Sequence, residues 1–173
     1  DWKLKVGDIS NAKDADFDDA SWKSITLPHA FNEDEAFRVH IEQHTDTVVW
    51  YRKHFRFAGS DKGKKAFLEF EGVRFAAEVY VNGKFIGLHE NGVMAFGFDI
   101  TEHLKPFPQQ NTIAVKTDND WKYREKISNS GYQWNNNNFN ANYGGIPKNV
   151  FLHIKSKVYQ TLPLYSGLGT TGT

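Results

Sequence analysis

At 173 residues the chain has the length of one domain, enough to bury about 70% of its unfolded surface around a single core. Lys plus Arg and Asp plus Glu both count 21, leaving no formal net charge, so the sequence has no basic stripe to neutralise phosphates or an anionic lipid surface. Cysteine is absent, which excludes disulfides and thiolate metal sites and leaves the redox compartment open.

No apolar run approaches the roughly 18 residues that span a bilayer, and no charged-then-apolar leader opens the chain. The expectation is a domain with neither nucleic-acid nor membrane partners and with no cofactor. Asp1 in place of Met suggests that an upstream piece was removed, and the compartment stays open with an extracytoplasmic leaning. Aromatics reach 15%, a content that suits either a Phe-filled β core or ring platforms for sugar.

Short alternating runs bounded by Gly, Asn, Asp and Pro recur along the chain, and helical periodicity is scarce. Residues 48–57 predict a strand, with Val49, Tyr51, Phe55 and Phe57 among basic residues. Residues 65–71 alternate strictly, with Ala66, Leu68 and Phe70 on one face and Phe67, Glu69 and Glu71 on the other, which predicts a half-buried strand. Residues 76–89 place two such runs around Asn82-Gly83, the pair that suits both left-handed positions of a type I′ turn and so predicts a two-residue hairpin. Further strands are predicted at 95–100, 112–117 and 149–156. The sum is seven or eight antiparallel strands, an all-β sandwich of two sheets.

Between Asp118 and Ile146 no period holds. This stretch carries Trp121, Tyr123, Tyr132, Trp134, Asn135 to Asn138, Phe139 and Tyr143, and loops of this length in compact domains are functional or disordered. Its rings argue against plain disorder. After Ser156 an extended segment with Pro163 leads into a Gly/Thr-rich end. The division expected is a sandwich domain over 1–157 and, over 158–173, the truncated start of a following domain.

Local chemistry is sparse. Asp14, Asp16 and Asp18 have the alternate spacing of a calcium loop, but Asp19 stands where Gly is needed and Ile25 where a bidentate Glu is needed, so an acidic turn is the expectation. His40 and His44 lack the HExxH arrangement for zinc. The Asn32-Glu33 dipeptide, which precedes the acid in many glycosidases, sits in a polar loop and is read as coincidence. No Gly-x-Ser-x-Gly elbow or phosphate loop occurs. Nothing local proposes a catalytic centre or a metal site.

Several segments in order resemble one known domain. Phe17-Asp18-Asp19-Ala20-Ser21-Trp22 with Leu27-Pro28-His29 is similar to its opening. Trp50-Tyr51-Arg52-Lys53 with Phe55 matches its first long strand. Phe70-Glu71-Gly72-Val73, Ala77-Glu78-Val79-Tyr80-Val81-Asn82-Gly83 and Gly87-Leu88-His89 match its central hairpin. Phe98-Asp99-Ile100-Thr101, Asn111-Thr112-Ile113-Ala114-Val115-Lys116, Asp118-Asn119 and Gly144-Gly145-Ile146 before Val150 continue and close it. The combination, over 14–156, resembles the N-terminal sugar-binding domain of glycoside hydrolase family 2, the group of β-galactosidases, β-glucuronidases and β-mannosidases.

The resemblance implies a jelly-roll, galactose-binding-domain-like fold. It also implies a parent enzyme that hydrolyses a terminal glycoside with retention, using two Glu on a barrel beyond these residues. No catalytic residue is carried over, and these residues alone are expected to be inactive. The segment from 158 reads, on this resemblance, as the entry to an immunoglobulin-like domain, and the expected partners are that domain, the barrel and a terminal glycoside. In relatives a polar residue at the end of the Val-x-x-Asp-Asn strand leans over the barrel mouth. The matching positions are Asp118 and Asn119, although an Asx turn that ends the strand explains the same residues. Trp121, Trp134 and Tyr143 are candidates for stacking on sugar or packing on the barrel. The alternative is an autonomous carbohydrate-binding or lectin-like module.

Overall fold

The computed structural model describes residues 1–33, 47–90, 94–120, 122–131 and 143–160. Among them are eleven strands: β1 (Trp2–Val6), β2 (Lys23–Ile25), β3 (His29–Ala30), β4 (Val48–Arg56), β5 (Lys65–Phe70), β6 (Ala76–Val81), β7 (Lys84–His89), β8 (Phe96–Asp99), β9 (Gln110–Asp118), β10 (Gly145–Ile146) and β11 (Val150–Lys155). No α-helix occurs among the described residues; two short 3-10 turns cover Gly59–Asp61 and Thr101–His103.

The strands form a six-stranded sheet in the order β2-β1-β4-β9-β6-β7, a three-stranded sheet β11-β5-β8, and a small pair β10-β3. Every pairing is antiparallel. The fold is therefore the expected all-β sandwich. The strand count is higher than seven or eight because β1, β2, β3 and β10 escape detection. Three of these four are only two or three residues long, and Trp2–Val6 alternates rings and aliphatics with lysines over too few positions to stand out.

The core lies between the two larger sheets. The six-stranded sheet supplies Leu4, Val49, Tyr51, Ala77, Val79, Val81, Ile113 and Val115, and the three-stranded sheet supplies Ala66, Leu68, Phe70 and Phe96. Each fully buried Val, Leu, Ile or Phe among these stabilises the fold by about 1.5–3 kcal/mol, so the alternation of β4, β5, β6 and β9 decides which faces meet. Phe70 and Phe96 stack at 4.9 Å across the β5–β8 pair.

Strand β5 departs from the expectation of half burial. Phe67 and Glu69, on its outer face, are also buried. Tyr159 sets its ring 5.0 Å from that of Phe67, and Glu69 pairs with His153 on β11 at 2.5 Å. The hairpin forms as predicted, with Asn82 at φ 52° and Gly83 at φ 82°, and β6 and β7 pair on either side of it with a bulge between Val79 and Tyr80.

The second face of the six-stranded sheet is covered by the segment between β1 and β2. Ala12 and Trp22 bury against Trp50 and Ala114. Arg52, fully buried on β4, ties this segment down. Its Nε donates to Asp19 Oδ2 at 2.7 Å, and its terminal nitrogens donate to the carbonyls of Ala12, Asp14 (2.9 Å) and Phe17 (3.3 Å). His54 Nε2 lies 2.8 Å from the same Asp19 oxygen. In the acidic turn, the Asp14 carbonyl is held by Arg52 and the Asp18 carboxylate accepts from Ala20 N at 3.0 Å.

Candidate functional site

Antiparallel register sets the end of the sandwich where the candidate residues meet. Asp118 closes β9 opposite Val48, the first residue of β4. The same end receives β3, β10 and the segment through Arg74 and Phe75. Arg74 N donates to Gly145 O at 2.8 Å and Gly145 N donates to Arg74 O at 3.1 Å, while Phe75 N donates to the Asp118 carbonyl at 3.0 Å. Asp118, Asn119 and the stretch that begins at Tyr143 are thus brought to one rim.

Asp118 is half-buried. Its Oδ1 accepts from Asp120 N at 3.0 Å, the Asx turn that the sequence allows at the end of a strand. Burial pushes its carboxyl above the ordinary carboxylate value, since desolvation disfavours the charged form.

Asn119 is only 2% exposed, and neither its Nδ2 nor its Oδ1 has a hydrogen-bond partner among the described residues. A buried amide left this way costs a few kcal/mol. Its neighbour is Gly144, where an added Cβ would stand 2.5 Å from Asn119 Nδ2 and 2.3 Å from the Phe31 ring. Asn32, also buried, accepts from Gly144 N at 2.8 Å through Oδ1, and Phe31 N donates to Gly144 O at 3.1 Å. Asn32 therefore contributes a structural clasp to this rim, which its polar sequence surroundings do not signal.

Tyr51 reaches the rim from the core. Its buried hydroxyl donates to the His29 carbonyl at 3.3 Å and lies 3.4 Å from His29 Nδ1. Burial pushes this phenol upward; burial, followed by the charge on Lys23, holds the His29 imidazole below its ordinary value. Gly145, at φ +98°, would place a Cβ 2.1 Å from Tyr51 Oη. Only glycine fits that backbone beside that hydroxyl.

Part of the long 118–146 loop is anchored. The Tyr123 ring meets Phe75 edge-on at 5.6 Å, and its hydroxyl donates to Glu90 at 2.5 Å. Lys126 adds an ion pair to Glu78 at 2.9 Å. Trp121 and Trp134, with 132–142 as a whole, lie outside the described residues, as do His40 and His44 and the chain from 161 onward. Among the described residues no group of three His, Asp or Glu side chains could hold a metal ion.

A sequence profile described as glycosyl hydrolase 2 galactose-binding domain-like matches residues 22–158. A β-glucuronidase of Formosa agariphila is 43% identical over all of this chain, and a β-galactosidase of Thermoanaerobacter pseudethanolicus is 39% identical over 89% of it. The chain spans 18% and 20% of the length of these two relatives. Among solved structures, a β-glucuronidase from glycoside hydrolase family 2 superposes with a TM-score of 0.81 at 40% identity, over 95% of this chain and 18% of that one. A Bacteroides uniformis β-glucuronidase superposes at 0.76 with 32% identity, over 89% of this chain and 17% of that one.

Proposed function

The chain belongs to the glycosyl hydrolase 2 galactose-binding domain-like family and corresponds to the N-terminal domain of family 2 glycoside hydrolases; from that premise we propose that it is the non-catalytic rim domain of a retaining exo-glycosidase. In this reading the two catalytic carboxylates stand on a barrel beyond these residues. The sandwich packs on that barrel and on an immunoglobulin-like domain that begins near residue 158, and its Asp118 end borders the pocket for a terminal glycoside.

The observation that carries the reading is the Asn119 side chain, a buried amide with both polar atoms unspent, beside a half-buried carboxyl whose ionisation is disfavoured. A fold that served only as packing would satisfy or remove such groups, because leaving them costs stability. A sugar hydroxyl both donates and accepts, and so matches the half-buried Asp118 carboxyl and, once the segment at Gly144 moves off it, the Asn119 amide. Tyr143, Trp121 and Trp134 are the rings proposed to complete that wall.

Two assays test the reading. The purified 173-residue chain should turn over no nitrophenyl β-glucuronide or β-galactoside, while the complete enzyme should hydrolyse one of them. Turnover by the chain alone would place catalytic groups within these residues and overturn the proposal.

A further inference from the structure

At the opposite end of the sandwich a cleft of about 470 Å³ opens between residues 57–66 and 101–107. Register fixes its distance from the rim: Arg56 pairs with Gln110 at one end of the β4–β9 ladder and Val48 with Asp118 at the other, a span of about 27 Å at strand rise. Its volume falls in the roughly 300–1,000 Å³ range of small-ligand sites.

The lining combines rings with unspent cations. Phe57 is half-buried and Phe107 is 58% exposed. Three lysines, Lys62, Lys64 and Lys105, face a single carboxylate, Asp61, which is paired with Lys64 at 2.9 Å. Lys62 and Lys105 have no ion-pair partner among the described residues. The wall that carries Lys105 and Phe107 is held from behind by two amides, the buried Asn111 and the half-buried Asn82. Asn111, closed to solvent, accepts from Lys105 N at 2.7 Å and donates to Lys105 O at 3.1 Å. Asn82 donates to Asn111 Oδ1 and to the His103 carbonyl, each at 2.8 Å. The hairpin turn and the start of β9 thus preorganise the cleft before any ligand arrives.

We propose that this cleft is a second carbohydrate site, one that takes an acidic sugar chain through its carboxylate or sulfate groups. The apolar C–H face of a pyranose suits the Phe107 ring, and an anionic substituent suits Lys62 and Lys105. The choice of a sugar over other amphipathic anions rests on the reading of the parent as a glycosidase. The cleft would hold a distal stretch of the polymer while its terminal residue occupies the pocket at the far end.

Calorimetric titration of the full-length protein with trigalacturonate, a sulfated galactan tetrasaccharide and neutral cellotriose tests this. At least one acidic oligosaccharide should bind about tenfold or more tightly than cellotriose, and the weaker of the two acids tells carboxylate from sulfate preference. Raising salt from about 50 to 500 mM should weaken that binding several-fold. Phe107→Ala, and separately the double change Lys62→Gln with Lys105→Gln, should each lower affinity about tenfold, while Lys5→Gln, at an exposed position of β1 outside both sites, leaves it unchanged. All three cleft positions are on the surface, and unchanged thermal unfolding would show that the variants fold. The proposal is overturned if neither acid binds, if cellotriose binds equally well, or if the cleft variants lower affinity no more than Lys5→Gln does. A failure of the rim reading, by contrast, appears in turnover and leaves these titrations untouched.

Discussion

The Arg52 guanidinium and the Asp19 carboxylate meet at 2.7 Å with Arg52 wholly closed to solvent. This contact, with three further donations to backbone carbonyls, folds the segment between β1 and β2 over the outer face of the six-stranded sheet. Arg52→Met leaves Asp19 buried without its main partner and should cost about 3–5 kcal/mol, read as a lower urea midpoint. Arg52→Lys should not rescue it, because one ammonium cannot replace the planar fork that serves four acceptors.

Acid should act on the same pair. Burial pushes the Asp19 carboxyl upward, but the hydrogen bonds from Arg52 and then His54 outweigh it and hold the group below 3.8. A lowered folded value means the stabilisation is intact above 3.8 and is lost as pH falls through the folded value. Asp118 has the opposite sign: its raised value means stability falls as pH climbs from 3.8 through the folded value and is level beyond. In unfolding experiments from pH 2 to pH 7, Asp19→Asn should flatten the acid limb, whereas Asp118→Asn should gain stability at neutral pH. A loss at neutral pH for Asp118→Asn would contradict the burial argument.

Gly145→Ala should disturb the rim. The added Cβ meets Tyr51 Oη at 2.1 Å on a backbone at φ +98°, so either the β3–β10 pair opens or Tyr51 leaves its carbonyl. The cost should be about 1–3 kcal/mol, visible as a lower midpoint. Restoration by adding Tyr51→Phe, which removes the clashing oxygen, should be partial, because the backbone strain remains.

The long strands were legible because each combines alternation with a buried partner face: β4, β5, β6 and β9 read correctly within two residues of their ends, and Asn82-Gly83 announced its turn. The outer face of β5 was not legible. Glu69 reads as a solvent residue until His153, 84 positions away, pairs with it. Nor was Asn32, whose clasp on Gly144 spans 112 positions. Asp118 and Asn119 drew attention through a family resemblance alone. Their physical distinction, an unspent amide beside a desolvated carboxyl, exists only once β3, β9 and β10 converge. The cleft lined by Phe57 and Phe107 gave no motif, because its halves are separated by four strands of chain.

The rim claim is tested most directly by steady-state kinetics of Asp118→Ala in the complete enzyme. Loss of a hydrogen bond to a charged or sugar-facing group predicts a fall in kcat/KM of about ten- to a hundredfold, with thermal unfolding unchanged or slightly raised. Wild-type kcat and KM in a folded Asp118→Ala enzyme would contradict the account.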